Sequence, residues 1–81
     1  MNVTMSVTEL VRLAQLRLES IAGEEAAQQA KLIVSTVIGV EPTALMIHAW
    51  AQADEEQIAI VGELLERRLT GEPLQYILGE W

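Results

Sequence analysis

Apolar residues recur at helical spacing along most of this chain, and the breaks between them fall on residues that stop helices. Val7, Leu10, Val11, Ala14, Leu18 and Ile21 share one face of a helical wheel. Ser6-Val7-Thr8-Glu9 fits a capping box, with Ser6 as N-cap and Glu9 reaching back to it. A first helix is predicted over about residues 7–21, after a loose lead-in of residues 1–5. Leu13 and Leu16 lie outside its apolar face, toward the back, and Gly23 breaks the run. A second helix is predicted over residues 24–38, with Glu24 and Glu25 at its positive N-terminal end. Its apolar residues, from Ala26, Ala27 and Ala30 to Ile33, Val34, Val37 and Ile38, wrap widely. A stripe that wide suits a helix covered from more than one side. The alanines would let neighbours come close, and Gly39 is the stop.

Pro42 opens a short third helix through about residue 47 or 48, because the first helical position needs no N–H donor. Asp54-Glu55-Glu56-Gln57 is a second capping signal, with Asp54 as N-cap and Gln57 at the third helical position. The helix it starts runs from residue 55 to about 69, with Ile58, Val61, Leu65 and Leu69 toward the core. Ile60 falls off that face. Glu63 and Arg67, four apart, are spaced to pair on the solvent side. Gly62 costs about 1 kcal/mol against Ala inside a helix, so close backbone packing is the expected compensation.

The end of the chain reads as a helix stop followed at once by a new start. Arg67 and Arg68 oppose the negative end of the helix dipole, and Gly71 suits the left-handed residue just past a helix. Pro73 starts a fifth helix over residues 73–78, with Leu74, Ile77 and Leu78 as its apolar side and Gly79 as its stop. No strand-like alternation interrupts this pattern. The fold class is therefore all-α, a compact bundle of about five helices, two of them short. Residues 1–71 form the helical bundle, and residues 72–81 form a short helix and the start of a linker. A chain that stops on Glu80-Trp81, two residues after a helix, looks cut from something longer. Trp81 is expected to be covered by a missing domain.

Composition narrows the possibilities. Eighty-one residues make one domain at most, and a domain this small buries only about 60% of its unfolded surface. The chain compensates with 51% hydrophobic residues, mostly aliphatic and none of them Phe. There are no cysteines, so disulfides and thiolate metal sites are excluded, which fits the expected cytoplasmic location. Five basic residues face twelve acidic ones, for a net charge of −7. Nucleic-acid binding needs a basic footprint that releases phosphate counterions, and this chain lacks one. An anionic membrane surface is disfavoured on the same ground. No apolar run approaches the roughly 18 residues of a membrane span.

Candidate chemistry is sparse. His48 is the single imidazole, so no two-histidine metal site can form in one chain, and a structural or solvent-facing role is expected of it. The pairs Glu24-Glu25 and Glu55-Glu56 sit at helix starts, where dipole compensation explains them. General acid–base work needs carboxylates converging in a pocket, which neighbours on a helix do not do. No residue is assigned to catalysis, cofactor binding or metal binding. Recognition residues are better represented. Trp50 reads either as a loop residue folded onto the bundle or as an exposed anchor for a partner, Trp being enriched in interface hot spots. Leu13, Leu16 and Ile60 are ordinary surface aliphatics if scattered and a docking patch if clustered. The candidate partner-binding set is Leu13, Leu16, Trp50 and Ile60.

The stretch R-R-L-T-G-E-P-L-Q-Y-I-L-G over residues 67–79 resembles the linker region of the bacterial release-factor glutamine methyltransferases, the PrmC/HemK family. In that family a Gly-Glu-Pro-x-x-Tyr-x-x-Gly segment joins a small N-terminal helical domain to a methyltransferase domain. Residues 30–39 are similar to the family's second long helix and its glycine stop, residues 45–48 to its short third helix, and residues 54–56 to the start of its fourth. Gln29 stands where the family usually has an acidic residue, and Ala49-Trp50 replaces a polar, proline-containing loop.

The resemblance implies a parent enzyme that transfers a methyl group from S-adenosylmethionine. Its acceptor would be the glutamine of the Gly-Gly-Gln motif in peptide-chain release factors. The family's Gly-rich loop and Asn-Pro-Pro-Tyr segment belong to its C-terminal domain, and neither occurs in these 81 residues. The implied role here is to help hold a protein substrate, with the cofactor bound elsewhere. Two other readings compete. An acyl carrier needs a serine in an Asp-Ser-Leu setting at a helix start, whereas Glu19-Ser20-Ile21 lies at a helix end. A free-standing acidic helical protein-interaction module would use helix-in-groove recognition. Size-exclusion chromatography separates these readings: a severed domain is expected to be monomeric, and a stable oligomer favours the independent module.

Overall fold

Ser6 Oγ accepts the Glu9 amide at 3.1 Å, and the Glu9 carboxylate accepts the Ser6 amide at 3.1 Å, so the first capping box is closed. The Ser6 amide foremost, and the Ser6 side chain after it, hold the Glu9 carboxyl below its ordinary pKa. In the computed structural model, which describes residues 3–80, helix α1 follows this cap over Val7–Ala22. A 3₁₀ turn, Gly23–Glu25, leads into α2 over Ala26–Ile38. Gly39 ends α2 at φ 88°, a left-handed conformation that glycine adopts without Cβ strain, and its amide donates to Ser35 O at 2.8 Å. A longer 3₁₀ helix spans Pro42–His48. The second capping box is also closed: Asp54 Oδ1 accepts the Gln57 amide at 2.8 Å, and Gln57 Oε1 accepts the Asp54 amide at 2.9 Å. It opens α3 over Glu55–Leu69, and α4 follows over Leu74–Glu80.

Three particulars differ from the sequence reading. Met5–Ser6 is strand β1 rather than loose lead-in, pairing antiparallel with β2, Gln52–Ala53. Met5 opposes Ala53, and Ser6 opposes Gln52. The predicted short third helix is 3₁₀ throughout. Gly79 lies inside α4 instead of stopping it, and Pro73 stands just before α4, its carbonyl accepting the Tyr76 and Ile77 amides.

α1 and α2, joined by the short Gly23–Glu25 turn, pack against each other more extensively than any other pair of elements. The β pair brings the start of α3 back to the start of α1. Arg17 and Glu66, 3.0 Å apart, tie the later halves of α1 and α3 together. Arg68 Nε donates to Gln29 Oε1 at 3.1 Å, tying α3 to the first half of α2. The bundle therefore has two distinct ends. One carries the start of α1, the long 3₁₀ helix and the start of α3. The other carries the Gly23 turn and the end of α3, where Gly71 at φ 100° redirects the chain into α4.

The core is a single apolar cluster. Val7, Leu10, Ala14 and Leu18 of α1 face Ala26, Ala30, Ile33 and Val34 of α2, with Val61, Leu64 and Leu65 of α3 closing over them. Ile77 of α4 is fully buried in the same cluster. The wide stripe of α2 is covered by α1, α3, α4 and the long 3₁₀ helix, as its width suggests. Four expectations need correcting. Ile21 is exposed, because Ala22 and Ala26 fill that end of the core. Leu64 is buried, and Ile60, four residues before it on the same side of α3, packs against the core rather than standing off it. Arg67 pairs with Glu72 beyond the helix end, not with Glu63.

Gly62 is the fourth. A Cβ added there meets no atom within 4 Å, so close packing does not explain the residue. Its φ is not positive either. Gly62→Ala is therefore expected to stabilise the fold by about 1 kcal/mol, raising the thermal midpoint by about 4–8 °C. A thermal melt followed by circular dichroism checks it, and a lowered midpoint would reveal a constraint on the backbone.

Candidate interaction surface

The long 3₁₀ helix determines which side chains this end of the bundle presents. With three residues per turn, side chains three apart stack on one edge. Pro42, Leu45 and His48 share the first edge, and Leu45 is its buried anchor. Met46 lies on the second and Ile47 on the third, and Ala49 and Trp50 follow past the helix end. Met46, Ile47 and Trp50 are 82%, 83% and 85% exposed, so three large apolar side chains of this short segment stand in solvent. His48 is also exposed.

The amides at the start of α1 hold this segment in place. A helix start leaves its first N–H groups without intrahelical partners. Val7 N–H donates to Ala51 O at 2.9 Å. Thr8 donates twice to Ala49 O, from its amide at 3.2 Å and its hydroxyl at 3.0 Å. Ala51 N–H donates to His48 O at 3.0 Å. Trp50 thus sits between two residues whose carbonyls are fastened to α1. Behind Met46 lies an apolar cleft of about 190 Å³, walled by Val7, Val11, Leu45 and Ala49, with Lys31 at its edge.

A second surface lies on another side of α1. Leu13 and Leu16, 41% and 61% exposed, line a shallow open depression with Met5, Glu9, Arg12 and Arg17. The four candidate partner-binding residues therefore separate. Leu13 and Leu16 share this depression, Trp50 belongs to the 3₁₀ surface, and Ile60 belongs to neither. Trp50 is not folded onto the bundle, so of its two readings the exposed one describes its position. Trp81 lies outside the described residues. Met46 and Ile47 were missed. Their signal was available: three consecutive apolar residues, Leu45-Met46-Ile47, in a short proline-started helix cannot all face inward.

Among the described residues no three His, Asp or Glu side chains converge to hold a metal ion. No single helix among them is long and apolar enough to cross a membrane. The two surfaces offer shape, apolar area and charge, which are the means of holding a partner.

The PrmC N-terminal domain family matches residues 9–79. The release factor glutamine methyltransferase of Francisella tularensis subsp. tularensis is 35% identical over 78 residues, covering 96% of this chain and 26% of that protein. The release factor glutamine methyltransferase of Caulobacter vibrioides is 28% identical over 76 residues, covering 94% of this chain and 26% of that protein. The chain thus spans about a quarter of the length of the curated relatives it matches. No solved structure matches the chain. The family match begins at the glutamate that closes the first capping box and ends in the last turn of α4, so it takes in α2, α3 and nearly all of α1 and α4. On that ground this chain belongs to the PrmC N-terminal domain family.

Proposed function

We propose that this chain is the substrate-recognition domain of an S-adenosylmethionine-dependent methyltransferase. The parent enzyme methylates the glutamine side-chain amide in the Gly-Gly-Gln motif of peptide-chain release factors. The observation that carries the reading is the match over 96% of the chain to a release factor glutamine methyltransferase. The physical role follows from the reaction. One glutamine of a large protein must be held against a methyl donor, and binding energy from surfaces far from that glutamine can hold it there. The exposed apolar side chains of this domain are such surfaces. S-adenosylmethionine is bound by the remaining part of the enzyme. The domain works as a monomer in the cytoplasm, where release factors act, and it touches neither nucleic acid nor membrane directly.

The test is calorimetric titration of the isolated 81-residue chain with a full-length release factor, and separately with S-adenosylmethionine. Release-factor binding on the order of micromolar is expected, since one domain supplies only part of the contact area. No cofactor binding and no methyl transfer are expected. Methyl transfer by the isolated chain, or failure to bind any release factor, overturns the reading.

A further inference from the structure

We infer that the end of the bundle bearing Met46, Ile47 and Trp50 docks a basic segment of the protein substrate that carries an apolar anchor residue. This rests on the substrate-recognition reading above. The three side chains are more exposed than Leu13 and Leu16. The backbone on both sides of Trp50 is fastened to α1 through the Ala49 and Ala51 carbonyls, so little backbone ordering cost remains there on binding. The cleft behind Met46 has the size and apolar walls to take one partner side chain.

Charge selects the partner. Between Lys31 and Arg67 the chain has no Lys or Arg, yet it carries Glu41, Asp54, Glu55, Glu56, Glu63 and Glu66. Of the acidic residues flanking the apolar group, Glu41, Glu55 and Glu56 make no ion pair among the described residues, and Asp54 serves only as the cap of α3. Lys31 is the one cation among the described residues that line the cleft. Apolar side chains preceded and followed in the chain by unpaired carboxylates complement an apolar residue flanked by lysines or arginines. The depression around Leu13 and Leu16 offers no such selection, because Arg12 and Arg17 lie beside Glu9 there. The proposed face also lies at the opposite end of the bundle from Gly71, where α3 hands the chain to α4.

The test compares three versions of the full chain by calorimetric titration with a full-length release factor. One is unaltered, one carries Ile47→Ser with Trp50→Ser, and one carries Leu13→Ser with Leu16→Ser. All substituted positions are exposed, and unchanged helical circular dichroism confirms that each variant folds. Ile47→Ser with Trp50→Ser is expected to weaken binding by about 30-fold or more, the loss typical of a hot-spot aromatic. Leu13→Ser with Leu16→Ser is expected to change it by less than about threefold. Raising salt from about 50 to about 300 mM is expected to weaken the unaltered chain several-fold. If the unaltered chain binds and Ile47→Ser with Trp50→Ser leaves affinity intact, this face is not the dock and the substrate-recognition reading stands. If binding is indifferent to salt, the basic character of the partner is wrong. No binding by the unaltered chain removes the substrate-recognition reading and this inference together.

Discussion

Leu18→Ala is expected to lower the thermal midpoint of this chain by at least about 10 °C, while Leu16→Ala, two residues away on the same helix, barely moves it. Leu18 is fully buried between α1 and its neighbours, and Leu16 stands mostly in solvent. Truncating a buried leucine removes its transfer free energy and leaves a cavity, about 2.7–5 kcal/mol together. A chain of this length has about 4–12 kcal/mol of total stability. Leu18→Ala therefore consumes a large share of it, and at the lower end leaves a substantial unfolded population at room temperature. For domains of this size each kcal/mol corresponds to about 4–8 °C. An exposed leucine offers no such loss, and changes within about 0.5 kcal/mol are usual there. Thermal melts of the two variants decide the matter. Equal midpoints would mean that the α1 face is assigned wrongly, and with it the arrangement of the core.

Removing residues 1–81 from the parent enzyme is expected to lower kcat/KM for a full-length release factor by about 100-fold. A short peptide containing Gly-Gly-Gln should be methylated within about twofold of the intact rate. A 100-fold loss corresponds to about 2.7 kcal/mol of transition-state binding, within reach of one apolar docking group. On the proposed function a short peptide does not reach this domain, so its rate should have nothing to lose. The cut belongs after α4 rather than at residue 71, because Ile77 is buried in the same core as α1, α2 and α3. Leaving α4 behind would expose an isoleucine and confound binding with solubility. Parallel losses on both substrates would assign this domain to supporting the fold of the enzyme. An unchanged kcat/KM on the release factor would leave it without a role in substrate capture.

Much of the fold was legible because the signals are local. Ser6 and Asp54 cap α1 and α3 as their four-residue patterns require, and Gly39 and Gly71 take the left-handed conformations that end α2 and redirect the chain after α3. The stripe Leu10, Ala14 and Leu18 is buried as its spacing demands. The 3₁₀ surface was only half legible. Trp50 was singled out, but Met46 and Ile47 were absorbed into a helix assumed to be α. Only Leu45 of that run is buried, and Met46 and Ile47 lie on the two remaining edges of the 3₁₀ helix, both in solvent. Ile60 was misread for a related reason. The predicted α3 stripe omitted Leu64, so its neighbour one turn earlier was assigned to the wrong side.

The sequence by itself determined where α1 and α3 begin and α2 ends, which face of α1 is apolar, and the acidic charge of the chain. Each depends on residues within a turn or two of one another, or on composition alone. The tertiary structure decided which chain segments meet. Pairing of Met5–Ser6 with Gln52–Ala53 joins residues nearly fifty positions apart, and no local pattern encodes it. The same holds for the α1 amides that fasten Ala49 and Ala51 and thereby hold Trp50 at the surface. An unpartnered N–H at a helix start must find an acceptor, but which carbonyl it finds depends on how the bundle closes. Arg67 turned to Glu72 because the chain bends back at Gly71. The exposure of Met46, Ile47 and Trp50 is likewise a property of the closed bundle, since Leu45 alone of that run found a place in its core.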